Sequence, residues 1–530
     1  MPSGDMGSFD LIVVGAGPAG AWAAYGARGR SILMLDAGAD TPEPTGPRGN
    51  LYELRASQPD MFEHLIGEDF ESLANLTNSK TNLKLKSPHT SYITRDWKST
   101  SPVAGEGFEG AIAQSKGGLA NAWGAGVYRF NDRDLRGFPI DEAALRPYYD
   151  ELAAAIGVSG AIDDLAEYLE PDAGLQPPIE LSGFYQTMLE RYGKMRAAFH
   201  REQVFLGRSR LAVLTESKGT RSAYEYGNLE FFRADDTAIY SPAYTVDELI
   251  HEKAIDYRNS RLVTRFHETA NGVEVYARNT ATGMEETYRA RRLLLAAGAL
   301  NTARIVLASF CDYETRLPAL DNPMACIPFF QLGRVGTKLE ARGTSLAQLN
   351  LVAEDEDSGD TVHGSLYGAT GPLRSDIISS LPLPLRTSLV LTRYLAPAMG
   401  LMMLFWPAEP NASSYVRLQP GGELEAVFPC GKQRAFEDRL IRLLRRLGYS
   451  TSPRLIQRPG NGSGFHYAGM LPMRANPRRY ETDRLGQLHG TQRVHIVDGA
   501  CFPRLPAKNL TFTIMANALR IGRALKAEQA

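Results

Sequence analysis

The sequence predicts an α/β fold, and three strand-turn-helix stretches are the observations that predict it. FDLIVVGAGPAGAWAAYGARGRSILMLDAG at 9–38 reads as an apolar strand, a glycine turn, an alanine-rich helix and a second strand. RRLLLAAGALNTARIVLAS at 291–309 and RVHIVDGACFPRLPAKNLTFTIMANALRIGRAL at 493–525 each repeat strand, small-residue turn and helix. Long intervals separate the three, so one parallel-sheet domain is expected to be assembled from discontinuous segments. Residues 312–460 carry short alternating and apolar runs, LAQLNLVAE and SSYVRLQP among them, which predict an antiparallel sheet in a second, α+β domain.

The first stretch carries the most chemistry. Gly15, Gly17 and Gly20 form GxGxxG between strand and helix, and Asp36 closes the next strand. The first glycine permits a sharp turn, the second lets backbone approach a pyrophosphate, and the third lets the helix pack closely on the strand. Unpaired N–H groups at the helix start then face the phosphates, and the Asp36 carboxylate can accept hydrogen bonds from ribose hydroxyls. The domain is therefore expected to be Rossmann-like and to bind an adenine dinucleotide.

Further along, QRAFEDRLIRLLRRLG spaces Phe436, Leu440, Ile441, Leu444 and Leu447 along one helical face, with Gly448 as the stop and arginines on a solvated face. LPLPLRTSLVLTRYLAPAMGLMMLFWP at 381–407 is interrupted by arginine and proline and has no clean run of about 18 apolar residues. It is expected to form buried strand and pocket wall, without an integral membrane segment. GEDFES and AEDEDSGD are expected to be surface loops.

Composition excludes several function classes. A chain of 530 residues can bury a large cofactor, and 58 basic against 60 acidic residues give a formal net charge of −2, with no basic run to suit nucleic acid. Cys311, Cys326, Cys430 and Cys501 lie far apart without metal-ligand spacing, which suits a reducing compartment; no metal site is expected. MPSGDMGSF is polar and acidic, so the expectation is a cytoplasmic protein.

One stretch poses the functional question. In GSGFHYAGMLPM, residues 462–473, a single histidine, His466, sits among glycines and apolar side chains. By itself it reads as an accommodated core histidine. His489 and His495 lack an acidic partner or helical pairing, and His64, His89, His200, His251, His267 and His363 sit in unrelated contexts; all are read as structural or exposed.

These blocks together resemble the glucose-methanol-choline (GMC) oxidoreductases, a family of FAD enzymes, from residue 9 to nearly the end. GGLANAWGAGVYRF at 117–130 is similar to the family's flavin loop, and FPIDEAALRPYYDELAAAIGVSG at 138–160 to the helix after it in the branch holding pyranose and cholesterol oxidases. HYAGMLPM resembles the family's H-x-x-G segment, and VDGACFPRLPAKNLTFTIMANAL its closing block. Asp36 stands where the family more often has glutamate, and residues 312–460 match only loosely.

The resemblance implies an FAD domain over 1–135, 225–311 and 461–530, and a substrate-binding domain over 136–224 and 312–460. It implies oxidation of an alcohol to an aldehyde or ketone, with hydride passing to the flavin. The protein must then supply a proton acceptor, and imidazole, with an ordinary pKa near 6.5, suits that task. The resemblance assigns it to His466, with Asn509 holding the same substrate oxygen. Gly117, Gly118, Asn121, Val263, Asp498, Gly499 and Thr511 are expected around the cofactor, and Tyr467 and Trp406 near the substrate. Trp123 is balanced between flavin contact and core packing. Ala122 stands where some relatives have a histidine bonded covalently to flavin, so noncovalent FAD is expected. The expected partners are a small-molecule alcohol, a sugar or hydroxylated secondary metabolite, and oxygen or a quinone as electron acceptor. A lipid- or sterol-like alcohol, a lyase or photoenzyme of the same fold, and a flavin-loaded scaffold without turnover are the alternatives.

Overall fold

A computed structural model describes residues 9–39, 57, 85, 88–105, 108–169, 174–227, 237–340, 342–354, 359–369, 378, 381–428, 434–460 and 462–527. GEDFES, most of the acidic run in AEDEDSGD, and Cys430 lie outside the described residues.

The glycine-turn unit folds as β1 (Phe9–Val14), α1 (Pro18–Ala27) and β2 (Ile32–Leu35). β1 and β2 run parallel, with Ile12 opposite Leu33. Their near-continuous apolar character reflects burial on both faces, as a parallel sheet covered by helices requires. β5 (Asp256–Arg258) extends the sheet beyond β2. On the other side, β8 (Glu285–Leu295) pairs parallel with β1. The far edge of β8 is shared: its first half pairs antiparallel with β7 (Gly272–Asn279), and its last residues pair parallel with β16 (Val494–Ile496). β6 (Arg261–Thr269) pairs with β7 and completes the sheet of seven strands. Residues 9–35, 256–295 and 494–496 thus converge on one sheet.

Two helices cover one region of that sheet at close range. α1 lies against the C-terminal helix, Thr511–Ala527, and the crossing needs glycine: a Cβ on Gly26 would stand 2.7 Å from Leu519 O, and one on Gly522 would stand 2.3 Å from Ala23 O.

The inserted region builds a five-stranded antiparallel sheet in the order β10 (Met324–Phe330), β13 (Met399–Phe405), β12 (Thr361–Gly368), β11 (Leu349–Glu354), β4 (Val204–Arg208). Alternation along these strands gives two unlike faces. Ile327, Leu349, Leu351, Val362, Leu366, Met402 and Leu404 point into an apolar core with Phe184, Tyr185 and Met188 of helix Gly183–Arg201 and with Leu440 and Leu444 of helix Arg434–Arg446. That last helix forms where its spacing predicts, and Gly448 ends it at φ +81°. The opposite face carries Asn350, His363, Ser365, Met403 and Phe405. A smaller sheet, β3 (Val103–Ala104), β15 (Leu424–Val427), β14 (Tyr415–Leu418) and β9 (Leu317–Pro318), lies apart from both.

Residues 381–407 depart from the expectation of buried strand throughout. Only Met399–Phe405 is strand; Leu385–Leu395 is a helix that buries Ser388 and Thr392 and exposes Leu385, Leu389, Val390 and Tyr394. Threonine, two arginines and single apolar residues give that segment a helical rather than an alternating pattern. Among the described residues, no helix is long and apolar enough to cross a membrane.

Candidate active site

The turn after β1 is built by its glycines. Gly15 adopts φ +100°, which L side chains rarely adopt, and a Cβ there would lie 2.4 Å from Ala296 O. Gly20 faces Gly15 O at 1.8 Å from an added Cβ, so helix and turn touch through bare backbone. Gly17 differs: it caps α1 without a side chain, and an added Cβ would find only Gly118 Cα, at 3.9 Å. The open space lies where the helix start points its N–H groups, which is what a pyrophosphate requires. Asp36 is buried, with Oδ2 accepting from Ala16 N at 2.7 Å and Oδ1 from Gly38 N at 2.8 Å. Burial raises its pKa, and those two backbone donors oppose the rise. Each oxygen retains a further lone pair, so the carboxylate can hold the turn and accept from a ribose.

The second glycine loop docks on the first. Gly117 N donates to Ala16 O at 2.8 Å, and Gly117 and Gly118 adopt φ +93° and +63°. Asn121 serves the loop itself: Nδ2 donates to Lys116 O at 2.7 Å, and Oδ1 accepts from Ser241 Oγ at 2.6 Å. Trp123 packs against the main core and donates to Tyr240 O at 2.9 Å. Ala122 is buried in a small cluster with Ile93. Val263 is a core residue of β6, beside the end of β2 where Arg261 N donates to Asp36 O.

The closing block brings distant segments together. Asp498 accepts from Ala500 N at 2.9 Å and from Thr302 Oγ1 at 2.5 Å, tying β16 to helix Ala299–Ser309. Burial pushes its pKa up to about 6. The segment after His466 runs along this block: Gly469 N, Leu471 N and Met473 N donate to Gly499 O, Ala500 O and Cys501 O. Gly499 is required by that approach, because a Cβ would stand 2.7 Å from Tyr467 O. Asn509 follows at the end of the block, two residues before Thr511 opens the C-terminal helix, and its buried Oδ1 has no hydrogen-bond partner among the described residues. An orphaned buried amide oxygen is costly unless a ligand completes it.

His466 sits against β13 and the segment before β10. Its ring lies 5.2 Å from that of Phe405 at 32°, and Nδ1 is 2.8 Å from Asn322 Oδ1. Burial holds its pKa down at about 4, so the imidazole is neutral at pH 7 and able to accept a proton. Phe405 is paired directly with His363 across β12 and β13, so the polar face of the five-stranded sheet fronts His466. On that face Tyr128 OH donates to Asn350 Oδ1 at 2.8 Å, and Asn350 Nδ2 contacts His363 Nε2 at 3.0 Å and Ser365 Oγ at 3.1 Å. Burial lowers the His363 pKa to about 3, and its Nδ1 has no partner among the described residues.

Tyr467 and Trp406, expected near the substrate, both make core contacts. Tyr467 stacks on Phe428 with ring centroids 5.7 Å apart, and its hydroxyl donates to Gly462 O at 2.6 Å. Trp406 points into the apolar core with Phe436, and its neighbour Phe405 takes the place at His466. Strand alternation is the reason: successive side chains leave opposite faces. Asp321 and Asn322 lie in no motif, His363 was read as structural or exposed, and Lys508 lies in the closing block without a role assigned to it. His495 is buried, with Nδ1 3.1 Å from Leu485 O, and no group of metal-ligating side chains occurs among the described residues.

The comparisons with known proteins bear on this geometry. Residues 449–518 match the family model for GMC oxidoreductase. The matched segment contains His466, Asp498, Gly499, Asn509 and Thr511. Across the whole chain, the structure is similar to the crystal structure of pyridoxine 4-oxidase from Mesorbium loti, at 15% identity and a TM-score of 0.60, covering 98% of this chain and 99% of that one. This likeness is one of fold, the α/β domain with its sheet-containing companion. No curated protein matches the chain in sequence.

Proposed function

We propose that the protein is an FAD-dependent oxidoreductase that oxidises a CH–OH group to an aldehyde or ketone. The observation that carries this reading is that the GMC-matching segment holds both a neutral His466, fronted by the polar face of the five-stranded sheet, and a partnerless buried Asn509 Oδ1. Gly15, Gly17, Gly20, Gly117 and Gly118 suit the pyrophosphate, and Asp36 suits the ribose. Bound FAD supplies the hydride acceptor. His466 takes the hydroxyl proton, and Asn509 orients the same oxygen. Ala122 has no side-chain nucleophile to attach, so FAD is held noncovalently. Asn350, His363 and Tyr128 favour a substrate with polar groups beyond the reacting hydroxyl, such as a sugar or hydroxylated secondary metabolite, over a plain sterol. The acceptor that reoxidises the flavin is oxygen or a quinone.

The test is anaerobic bleaching of bound flavin across sugars, aromatic alcohols, pyridoxine and sterols, followed by admission of air. At least one polar alcohol bleaches it, and His466→Ala keeps FAD while slowing reduction on the order of a hundredfold or more. An unchanged rate in His466→Ala removes His466 from the mechanism. Acid precipitation should release the yellow colour into the supernatant, and colour retained on the pellet refutes noncovalent binding.

A further inference from the structure

We propose that Asn322 is the positioning residue of this site: it fixes His466 as the Nδ1–H tautomer and so presents Nε2 as the proton acceptor. The inference rests on the alcohol-oxidation reading for its purpose, and on hydrogen-bond polarity for its substance.

Hydrogen-bond polarity fixes the orientation of the Asn322 amide. Asn322 Nδ2 lies 2.7 Å from Trp406 O and 3.0 Å from Pro506 O. Carbonyl oxygens only accept, so the atom facing both must be the amide NH2, and a flipped amide would set oxygen against two oxygens. The remaining amide atom, Oδ1, is then the one 2.8 Å from His466 Nδ1. An amide oxygen also only accepts, so Nδ1 carries the hydrogen. A neutral imidazole has one N–H, which leaves the lone pair on Nε2.

The surroundings keep that arrangement rigid. Asn322 is 2% exposed. Its two carbonyl anchors belong to the segments that carry the rest of the site: Trp406 follows Phe405, and Pro506 precedes Asn509 by three residues. One side chain therefore relates the base, the pocket wall and the orienting amide. Asp321 adds a second restraint, its Oδ1 accepting from His466 N and its Oδ2 from Gly464 N, each at 3.0 Å. Gly464 has no room for a Cβ, which would lie 2.4 Å from Asp321 Oδ1, and Phe465 is held at φ +58°. The Asp321 carboxylate is thus spent on backbone rather than on the ring. Burial raises the Asp321 pKa to about 7, and the other ionisable group that interacts with the ring is His363, which is neutral.

The first experiment needs no variant of Asn322. Long-range 1H–15N correlation of FAD-loaded protein labelled with 15N-histidine, with the His466 signals identified by their loss in His466→Gln, should show a protonated Nδ1 and an unprotonated Nε2. An Nε2–H tautomer, or a mixture, overturns the proposal. The second experiment follows anaerobic flavin reduction against pH at saturating substrate. Asn322→Asp places a carboxylate beside the Nδ1 hydrogen, which favours imidazolium, and should move the acid limb up by on the order of one unit or more. Asn322→Leu should slow reduction by about 10–100-fold with flavin content unchanged and KM within about twofold. Wild-type rates in the Leu variant together with an unmoved acid limb in the Asp variant overturn it. A wild-type flavin that no alcohol bleaches instead defeats the oxidation reading, and the NMR result then decides the tautomer by itself.

Discussion

The ion pair beside Asn509 gives a sharp test of how the closing block is held. Lys508 is 2% exposed, and Nζ donates to Arg129 O at 2.9 Å, to Tyr168 O, and to Asp134 Oδ2 at 2.5 Å. Asp134 is equally buried and has one further donor, Asn131 N at 3.0 Å. Lys508→Met keeps the length of the side chain but strands a carboxylate in the interior with a single donor. Removing one member of a buried pair costs about 3–5 kcal/mol, because the surviving charge stays desolvated. Adding Asp134→Leu removes that charge, so the double variant should regain at least ~2 kcal/mol over Lys508→Met. Recovery stays partial, since two carbonyls lose their donor at about 1–3 kcal/mol each. The assay is urea unfolding of the FAD-loaded protein, read by tryptophan and flavin fluorescence together, with midpoints compared at constant slope. If Lys508→Met lies within about 0.5 kcal/mol of wild type, or if the two substitutions simply add, the pair does not act as a coupled buried ion pair.

Other outcomes follow from the same geometry. With the His466 pKa near 4 rather than 6.5, flavin reduction in Asp321→Asn, which removes the neighbouring carboxyl that burial raises to about 7, should retain most of its pH 7.5 rate at pH 5.5; an ordinary imidazole would keep only about a tenth. The same depression makes the unfolded chain bind protons that the folded chain refuses, so His466 and His363 oppose stability as pH falls from about 6.5 toward 4, while Asp321 and Asp498, raised by burial to about 7 and about 6, act in the opposite sense; the urea midpoint of His466→Gln should therefore fall less, or rise more, across that window than that of wild type. Gly17→Ala should fold yet purify with little flavin, because its Cβ enters open space needed by the pyrophosphate, whereas Gly20→Ala should fail at folding because its Cβ strikes Gly15 O. Full flavin occupancy in Gly17→Ala, measured as the flavin-to-protein ratio, would remove Gly17 from the cofactor site.

What the amino-acid sequence determined by itself is local. Periodicity and glycine placement specify β1, α1, β2 and the helix ending at Gly448, because turn geometry and amphipathic spacing act within a few residues of chain. The order of blocks points to His466 and Asn509 as candidates. Tertiary structure decided what those residues touch. Trp406 and Phe405 are adjacent and both aromatic, yet strand phase turns one into the core and the other onto His466. Asn121 is drawn into its own loop by Lys116 and Ser241, and Tyr467 into the core by Gly462 and Phe428. Asn322 belongs to no motif and lies 144 residues from the histidine it orients. Its role exists only because Trp406 O and Pro506 O, on separate segments, close on one amide and dictate which end faces the ring. Hydrogen-bond direction of that kind depends on distances between remote atoms, and residue spacing along the chain does not encode it.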